Sequence, residues 1–497
     1  MTPTAHFSLL PVIIGLPFLG AFCVSLIYGA ENVVARNAKN VGLLVSGVAL
    51  ALALFVMFKF DFAAGGLQFE YEKTGIKSLL LSWKLGVNAL SAVFVLLTAF
   101  FAFAAVLITP RALPNVKVFM IMTLIIEGFL LGAVCSRNLF QFFLFHEGTF
   151  IPLFMLGAVW GEKNGGDGVP FSRYGYFFLS TILFFFGVLY LHAQVESLNL
   201  DDLARQEFSP DVQAVLLAVF LPSFMINAPF APFHQWFVKA QADTPTPCLL
   251  ILSGALSKVA LYGTLAVVVP LSAGAMASYA PLLMTWAVLS ALFACASLLT
   301  VRDLKEKIVY AQMCLCALTV CAVFSLRMQA VFAVLLFCLA QSAVFAVFIV
   351  VLTFLFDRLQ SADVSRVRGL GAEIPAFAAA FFVAGACFAV LPATPVFMPV
   401  FLLIENIFTV HYAFGVAALA GVTGLFTAMA NLYAGIISGE RERTFFPYAD
   451  LNRREKTLSG VMFAVLFCLA AYPDVLTLPC SAGARVLSAF LTAAGEG

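Results

Sequence analysis

The sequence has little charge. Only 11% of its 497 residues are charged, whereas soluble globular proteins contain about 25%. Hydrophobic residues make up 63% of the chain, and its mean hydropathy is +1.03. The scarcity of charge excludes a soluble globular protein, and a net charge of +1 provides no basic surface for binding a nucleic acid.

Cysteine spacing of the kind that binds metals is also missing. The 11 cysteines are scattered, mostly inside apolar segments, and no CxxC pair occurs. This pattern argues against an iron–sulfur cluster, a structural zinc site or a disulfide framework. We therefore expect no metal site in this chain.

Long apolar runs are abundant. They match transmembrane helices in length, rather than the short alternating strands of a membrane β-barrel. The sequence predicts an all-α polytopic membrane protein with about fourteen transmembrane helices. The predicted spans are 7–28, 41–58, 86–109, 116–134, 139–160, 174–193, 211–232, 244–270, 278–300, 307–325, 329–356, 374–412, 413–438 and 458–477.

The distribution of lysine and arginine predicts the orientation of these spans. Eighteen of these residues follow odd-numbered spans, and eight lie on the other side. The positive-inside rule places the richer side in the cytoplasm. Because the number of spans is even, both termini are expected on the non-cytoplasmic side.

Prolines interrupt two of the predicted spans. The seventh carries Pro229 and Pro232 near its end, and the twelfth carries three prolines between positions 392 and 399. Such breaks persist in a membrane only where protein or a water-filled cavity satisfies the freed carbonyl groups. The two breaks lie five spans apart, which is typical of inverted repeats in transporters. Ordinary proline kinks are the alternative.

An inverted repeat divides the chain into four segments. Residues 1–115 contain the first three helices, and residues 116–270 form the first five-helix repeat. Residues 271–438 form the second, inverted repeat, and residues 439–497 contain a loop and the last helix.

Ionisable residues inside the spans are candidates for an ion pathway, because each is costly to bury. Glu147 and Lys258 are predicted to interact, either in proton exchange or as a structural ion pair. His234, beside the first break, is a candidate proton relay or a helix cap. Glu127 is equally compatible with a functional and a packing role. Glu405, after the second break, is a candidate exit carboxylate.

Three sequence blocks add a more specific signal. They are Phe145-His-Glu147-Gly-Thr-Phe-Ile-Pro152, Pro229-Phe-Ala-Pro232-Phe-His234-Gln-Trp236 and Gly254-Ala-Leu-Ser-Lys258. In order and spacing they resemble the antiporter-like membrane subunits of proton-pumping NADH:quinone oxidoreductase, respiratory complex I. Within that family the chain most resembles the chain M group, since no long amphipathic extension of the chain L kind follows the fourteenth span.

The resemblance implies a fourteen-helix subunit that moves protons along a polar axis through Glu147, Lys258 and His234. It implies no cofactor in this chain, because FMN, iron–sulfur clusters and quinone are handled by other subunits. The implied partners are chain L-like and chain N-like membrane subunits and the lipid bilayer. The implied location is the bacterial plasma membrane.

Four positions depart from the family pattern. Asn227 replaces the central lysine of the seventh span, Leu315 replaces a histidine of the tenth, and Gln341 replaces a histidine of the eleventh. The glutamate of the twelfth span becomes Val400. Glu405 follows five residues later, about 140° around an ideal helix, and is not expected to substitute.

These departures leave several functions open. The chain is either a conducting subunit of complex I or a structural subunit with a degenerate channel. A third possibility is a subunit of a multi-chain cation/proton antiporter or of a membrane-bound hydrogenase, because a shared fold does not fix function.

Overall fold

The protein is almost entirely helical. A computed structural model describes residues 9–76, 81–160, 171–359, 369–438 and 449–495. In chain order its helices are α1 (Leu9–Ser25), α2 (Glu31–Lys59), α3 (Ala89–Ile108), α4 (Val116–Cys135), α5 (Leu139–Gly148), α6 (Phe150–Trp160), α7 (Phe171–His192), α8 (Leu200–Leu203), α9 (Pro210–Asn227), α10 (Gln235–Asp243), α11 (Pro247–Leu249), α12 (Ser257–Gly263), α13 (Val269–Ser278), α14 (Ala280–Thr300), α15 (Leu304–Val323), α16 (Met328–Leu359), α17 (Pro375–Phe388), α18 (Phe397–Val410), α19 (Tyr412–Ile437), α20 (Arg453–Ala471), α21 (Asp474–Val486) and α22 (Ser488–Gly495).

The helices confirm the predicted all-α membrane class. Within the described ranges, 11 helical segments are long and apolar enough to cross a membrane, or up to 12 if α20 and α21 form one bent span. The shorter apolar helices are α1, α17 and α18. These segments are consistent with fourteen spans and an inverted repeat, which both remain predictions.

A β-hairpin between α2 and α3 was not predicted. Its strands, β1 (Gln68–Ile76) and β2 (Leu81–Val87), are antiparallel. The backbone N–H of Arg137, just before α5, donates to the carbonyl of Lys84 on β2 at 2.9 Å. The hairpin therefore helps to fix the start of α5.

Both predicted helix breaks are present. The first separates α9 from α10, and the second separates α17 from α18. Val390 and Ala393 in the second break adopt φ values of 61° and 65°, a backbone conformation that cannot continue an α-helix. Additional interruptions occur between α5 and α6 and at two π-helical segments, Leu250–Leu256 and Thr264–Val268, on either side of α12.

The chain forms two compact units. Unit 1 comprises Met1–Ala228, Ala255–Ser278 and Pro479–Gly497, and unit 2 comprises Pro229–Gly254 and Tyr279–Leu478. Unit 1 contains the predicted residues Glu127, Glu147, Asn227 and Lys258, whereas His234, Gln341 and Glu405 belong to unit 2. The four segments predicted from the repeat remain a separate prediction.

Candidate functional site

The last turn of α5 positions a pair of ionisable side chains. The helix begins after Asn138, whose side chain accepts hydrogen bonds from two backbone N–H groups of the first turn, at 3.0 and 3.2 Å. It ends at Gly148, and the Thr149 hydroxyl donates to the carbonyl of His146 at 2.7 Å. The break between α5 and α6 therefore begins two residues after Glu147.

Both oxygens of the Glu147 carboxylate are engaged. Oε1 lies 2.9 Å from Nδ1 of His146, and Oε2 accepts a hydrogen bond from the Thr181 hydroxyl on α7. The His146 side chain is fully buried, and that of Glu147 is 10% exposed. His146 and Thr181 are not among the pathway residues predicted from the sequence. The interaction of Glu147 with Lys258, which is buried in α12, remains a prediction.

A neutral polar cluster joins α7 to α9 at the residue before Thr181. That residue, Ser180, donates to the carbonyl of Ser223 at 2.9 Å and accepts a hydrogen bond from Asn227 Nδ2 at 2.9 Å. Asn227 Nδ2 also approaches the Ser223 carbonyl at 3.4 Å. Uncharged hydroxyl and amide groups therefore surround the position at which the resemblance would place a lysine.

Aromatic rings enclose the His146 imidazole. It stacks on Phe142 with 5.9 Å between centroids and 9° between planes. The rings of Phe184 and Phe224 each lie 6.0 Å from it. Nε2 of His146 is buried and has no hydrogen-bond partner among the described residues. One ring nitrogen thus meets a carboxylate, and the other lies in apolar surroundings.

Glu127 forms a separate buried acidic site on α4. Its side chain is 1% exposed, and neither carboxylate oxygen has a hydrogen-bond partner in the part of the chain that the structure describes. The buried hydroxyl of Thr123, one helical turn earlier, also lacks one. A Cβ added to the following Gly128 would lie 2.6 Å from the Phe18 ring, so the absence of a side chain there permits close packing of α1.

Charged groups hold the loop between α7 and α9 near the start of α5. Arg137, the residue before the Asn138 cap, pairs with Asp201, and Lys84 Nζ lies 3.9 Å from the same carboxylate. The neighbouring Asp202 accepts a hydrogen bond from the Ser197 hydroxyl at 2.6 Å, which lowers the pKa of its carboxyl. These contacts involve residues distant in sequence, and no short sequence pattern indicates them.

Side chains of α14 form hydrogen bonds with the backbone between α9 and α10, at the first predicted helix break. The Ala231 N–H donates to Ser290 Oγ at 3.0 Å, and Trp286 Nε1 donates to the Ala231 carbonyl at 2.6 Å. His234 follows this break and is 4% exposed, with its ring 4.9 Å from that of Phe293. His234 Nδ1 has no hydrogen-bond partner among the residues described.

The interior of unit 2 contains a neutral amide pair. Gln341 Nε2 on α16 donates to Gln312 Oε1 on α15 at 2.6 Å. Both side chains are buried, and so is Leu315, one turn after Gln312. Leu315 and Gln341 occupy the positions at which the resemblance would place histidines in the tenth and eleventh spans, and neither side chain can exchange protons near neutral pH.

Glu405 lies on the outer face of α18. Val400 is buried, whereas Glu405 is exposed beside the exposed side chain of Phe401. This difference agrees with the expectation that five residues rotate Glu405 away from the face of Val400. A role for Glu405 as an exit carboxylate remains a prediction.

Comparisons with known proteins agree with this architecture. The model of the family described as "NADH:quinone oxidoreductase/Mrp antiporter, TM" matches residues 136–427, more than half of the chain. NADH-ubiquinone oxidoreductase chain 4 of Marchantia polymorpha is 26% identical over 475 residues, covering 94% of each chain. NADH-quinone oxidoreductase subunit M of Rhodobacter capsulatus is 25% identical over 485 residues, covering 95% of this chain and 94% of the relative.

Two solved assemblies contain a chain of the same fold. In respiratory complex I from Thermus thermophilus the TM-score is 0.83 at 21% identity, covering 97% of this chain and 99% of the other. In the Mrp complex from Dietzia sp. DQ12-45-1b the TM-score is 0.84 at 17% identity, covering 99% of both chains. From the match of the family model, the chain belongs to the NADH:quinone oxidoreductase/Mrp antiporter transmembrane family.

Proposed function

We propose that this chain is the M-type subunit in the membrane arm of a proton-pumping NADH:quinone oxidoreductase. The observation that carries the proposal is its nearly full-length similarity to relatives named subunit M or chain 4 of that enzyme. In this role the chain couples NADH oxidation and quinone reduction, which occur in other subunits, to proton translocation across the membrane.

The buried groups of unit 1 support participation in proton transfer. Ionisable side chains within membrane spans are costly to bury and commonly mark ion routes. Glu147 meets His146 and Thr181 there, and Lys258 is buried in the same unit. In our proposal Glu147 and Lys258 exchange protons along the route, and His234 relays them in unit 2.

The setting of the subunit follows from the same assignment. We propose chain L-like and chain N-like subunits as neighbours in a bacterial plasma membrane, with both termini on the non-cytoplasmic side. FMN, iron–sulfur clusters and quinone belong to other subunits. Among the described residues, no group of three His, Cys, Asp or Glu side chains is positioned to hold a metal ion.

A second candidate function is a structural subunit of the same complex with little conduction of its own. The Gln312–Gln341 amide pair and Val400 favour it, because none of these side chains carries a proton at neutral pH. A subunit of a multi-chain cation/proton antiporter has the same fold, and the TM-scores of 0.83 and 0.84 do not separate the two assemblies.

Purification of the intact assembly tests the assignment. A tagged chain is isolated from native membranes in mild detergent, and the sample is assayed for NADH:quinone oxidoreduction. We expect that activity to copurify with the tag. Recovery with small antiporter chains, together with Na⁺/H⁺ exchange and no NADH oxidation after reconstitution, would contradict the assignment.

A further inference from the structure

The fully buried His146 imidazole can take up a proton and is in direct contact with the Glu147 carboxylate. Its Nδ1 lies 2.9 Å from Glu147 Oε1. We propose that His146 is a proton-exchanging partner of Glu147, a role that rests on the proposed function. The pair would be an imidazole–carboxylate relay within unit 1.

Each oxygen of Glu147 has a different partner. Oε2 accepts a hydrogen bond from the Thr181 hydroxyl, and Thr181 Oγ1 also approaches the Phe177 carbonyl at 3.2 Å. This contact fixes the orientation of the carboxylate and leaves Oε1 directed at His146. Thr181 is a positioning residue, since a hydroxyl does not ionise in the range in which a carboxylate and an imidazole do.

The other ring nitrogen of His146, Nε2, is the atom at which the relay can receive a proton. Buried polar atoms nearly always have a hydrogen-bond partner, so an unpartnered ring nitrogen needs an explanation. His146 Nε2 is buried with no such partner among the described residues, and the rings of Phe142, Phe184 and Phe224 pack around the imidazole. A nitrogen kept available in this way can accept a proton from a transient donor such as water.

The protons balance in one relay step. In the resting pair, neutral His146 donates its Nδ1–H to the Glu147 carboxylate. A proton that arrives at Nε2 gives the imidazolium, and the Nδ1 proton then moves to Oε1. The products are a neutral carboxylic acid and an imidazole protonated at Nε2. Loss of the acid proton to the next acceptor, followed by return of the imidazole to its first tautomer, resets the pair.

Asn227 does not supply this function. Its Nδ2 is engaged with Ser180 Oγ and the Ser223 carbonyl, and an amide cannot accept a proton at neutral pH. Asn227 contacts Ser180, and the next residue of α7, Thr181, contacts the carboxylate. A lysine introduced at position 227 would add a cationic group to the buried end of α9, and we expect it to serve as an alternative partner of Glu147.

The test uses the intact complex in inverted membrane vesicles. NADH-driven proton uptake is normalised to NADH:ferricyanide activity, which reports assembled enzyme. The variants are His146→Gln, Glu147→Gln and the double variant His146→Gln with Asn227→Lys. His192→Gln, the same change at the end of α7, is the matched control. Glutamine keeps a hydrogen-bond donor at position 146, but its amide neither takes up nor releases a proton near neutral pH.

We expect normalised proton uptake to fall about tenfold or more in His146→Gln and in Glu147→Gln, since acid–base groups typically contribute about 10²- to 10⁴-fold. The added lysine should return the double variant to within about threefold of wild type, which a purely structural histidine would not predict. Uptake near wild type in His146→Gln, with a large loss in Glu147→Gln, would overturn the relay but leave the proposed function intact. Wild-type uptake in both variants would contradict conduction through this chain and, with it, the relay.

Discussion

The polar interiors of the two units differ in their capacity to carry charge. Unit 1 contains Glu147 and His146 in direct contact, with Lys258 buried in the same unit. Unit 2 contains the amide pair Gln312–Gln341. Each cluster connects two apolar helices, and its side chains are largely shielded from solvent. Burial alone therefore does not identify a proton route, and the side-chain chemistry separates the two interiors.

The two interiors also differ in how their buried polar side chains are hydrogen-bonded. In unit 1, the Thr181 hydroxyl donates to Glu147, and the adjacent Ser180 hydroxyl accepts a hydrogen bond from the amide of Asn227. In unit 2, Gln341 Nε2 is satisfied by Gln312, and its Oε1 lacks a partner among the described residues. The first arrangement can exchange protons, whereas the second can only exchange hydrogen bonds.

The largest effect is expected from Glu147→Gln. The amide preserves the size of the side chain but removes the acid, so NADH-driven proton uptake should fall about tenfold or more. The measurement is proton uptake in inverted vesicles, with NADH:ferricyanide activity as the assembly control. Proton uptake equal to that of wild type would contradict the claim that the ionisable side chains of unit 1 carry protons.

Lys258→Ala should have the next largest effect. The lysine is buried in α12, where loss of its amine removes a group that can carry a proton within the membrane. We expect proton uptake to fall about fivefold, below the factor for an acid–base group in direct contact. Lys239→Ala is the matched control, because that side chain is 55% exposed and lies on α10, which is not among the candidate spans.

Much of the fold could be predicted from apolar length and proline position. The fourth predicted span, 116–134, nearly coincides with α4, and both proline-rich breaks are present. The hairpin was missed because a membrane-length window averages over short alternating strands. The sequence also placed the start of the second span ten residues late, since the charged first turns of α2 lower the local hydropathy.

The site was only partly predictable. Glu147 and Lys258 are conspicuous as charges in apolar runs. His146 is adjacent to Glu147 in the sequence, but neighbouring residues on a continuous helix do not face each other. Their contact is made in the last turn of α5, next to the break. The contact with Thr181 joins residues 34 positions apart, and no sequence spacing indicates it.

Gln341→Leu tests whether the neutral amide pair of unit 2 contributes to proton uptake. The change removes a neutral hydrogen bond between α15 and α16, so proton uptake should stay within about twofold of wild type while stability falls by about 1 kcal/mol. Thermal inactivation of detergent-solubilised complex reports the stability. A loss of uptake as large as that of Glu147→Gln would mean that the amide pair belongs to an essential water-linked route.

Glu405→Gln should have the smallest effect. The side chain is exposed on α18, whereas Val400 occupies the buried face. We expect proton uptake within about 20% of wild type, as surface substitutions away from a buried network are usually mild. A severalfold loss would support the exit role predicted from the sequence and add a residue of α18 to the proton route.

The most direct test of the central claim is the number of protons taken up per NADH oxidised in inverted vesicles. Wild type, Glu147→Gln and Gln341→Leu are measured side by side at equal NADH:ferricyanide activity. We expect a clear fall in the ratio, or loss of coupled turnover, for Glu147→Gln and a wild-type ratio for Gln341→Leu. An unchanged ratio and rate for Glu147→Gln would contradict this expectation and identify the chain as a structural subunit.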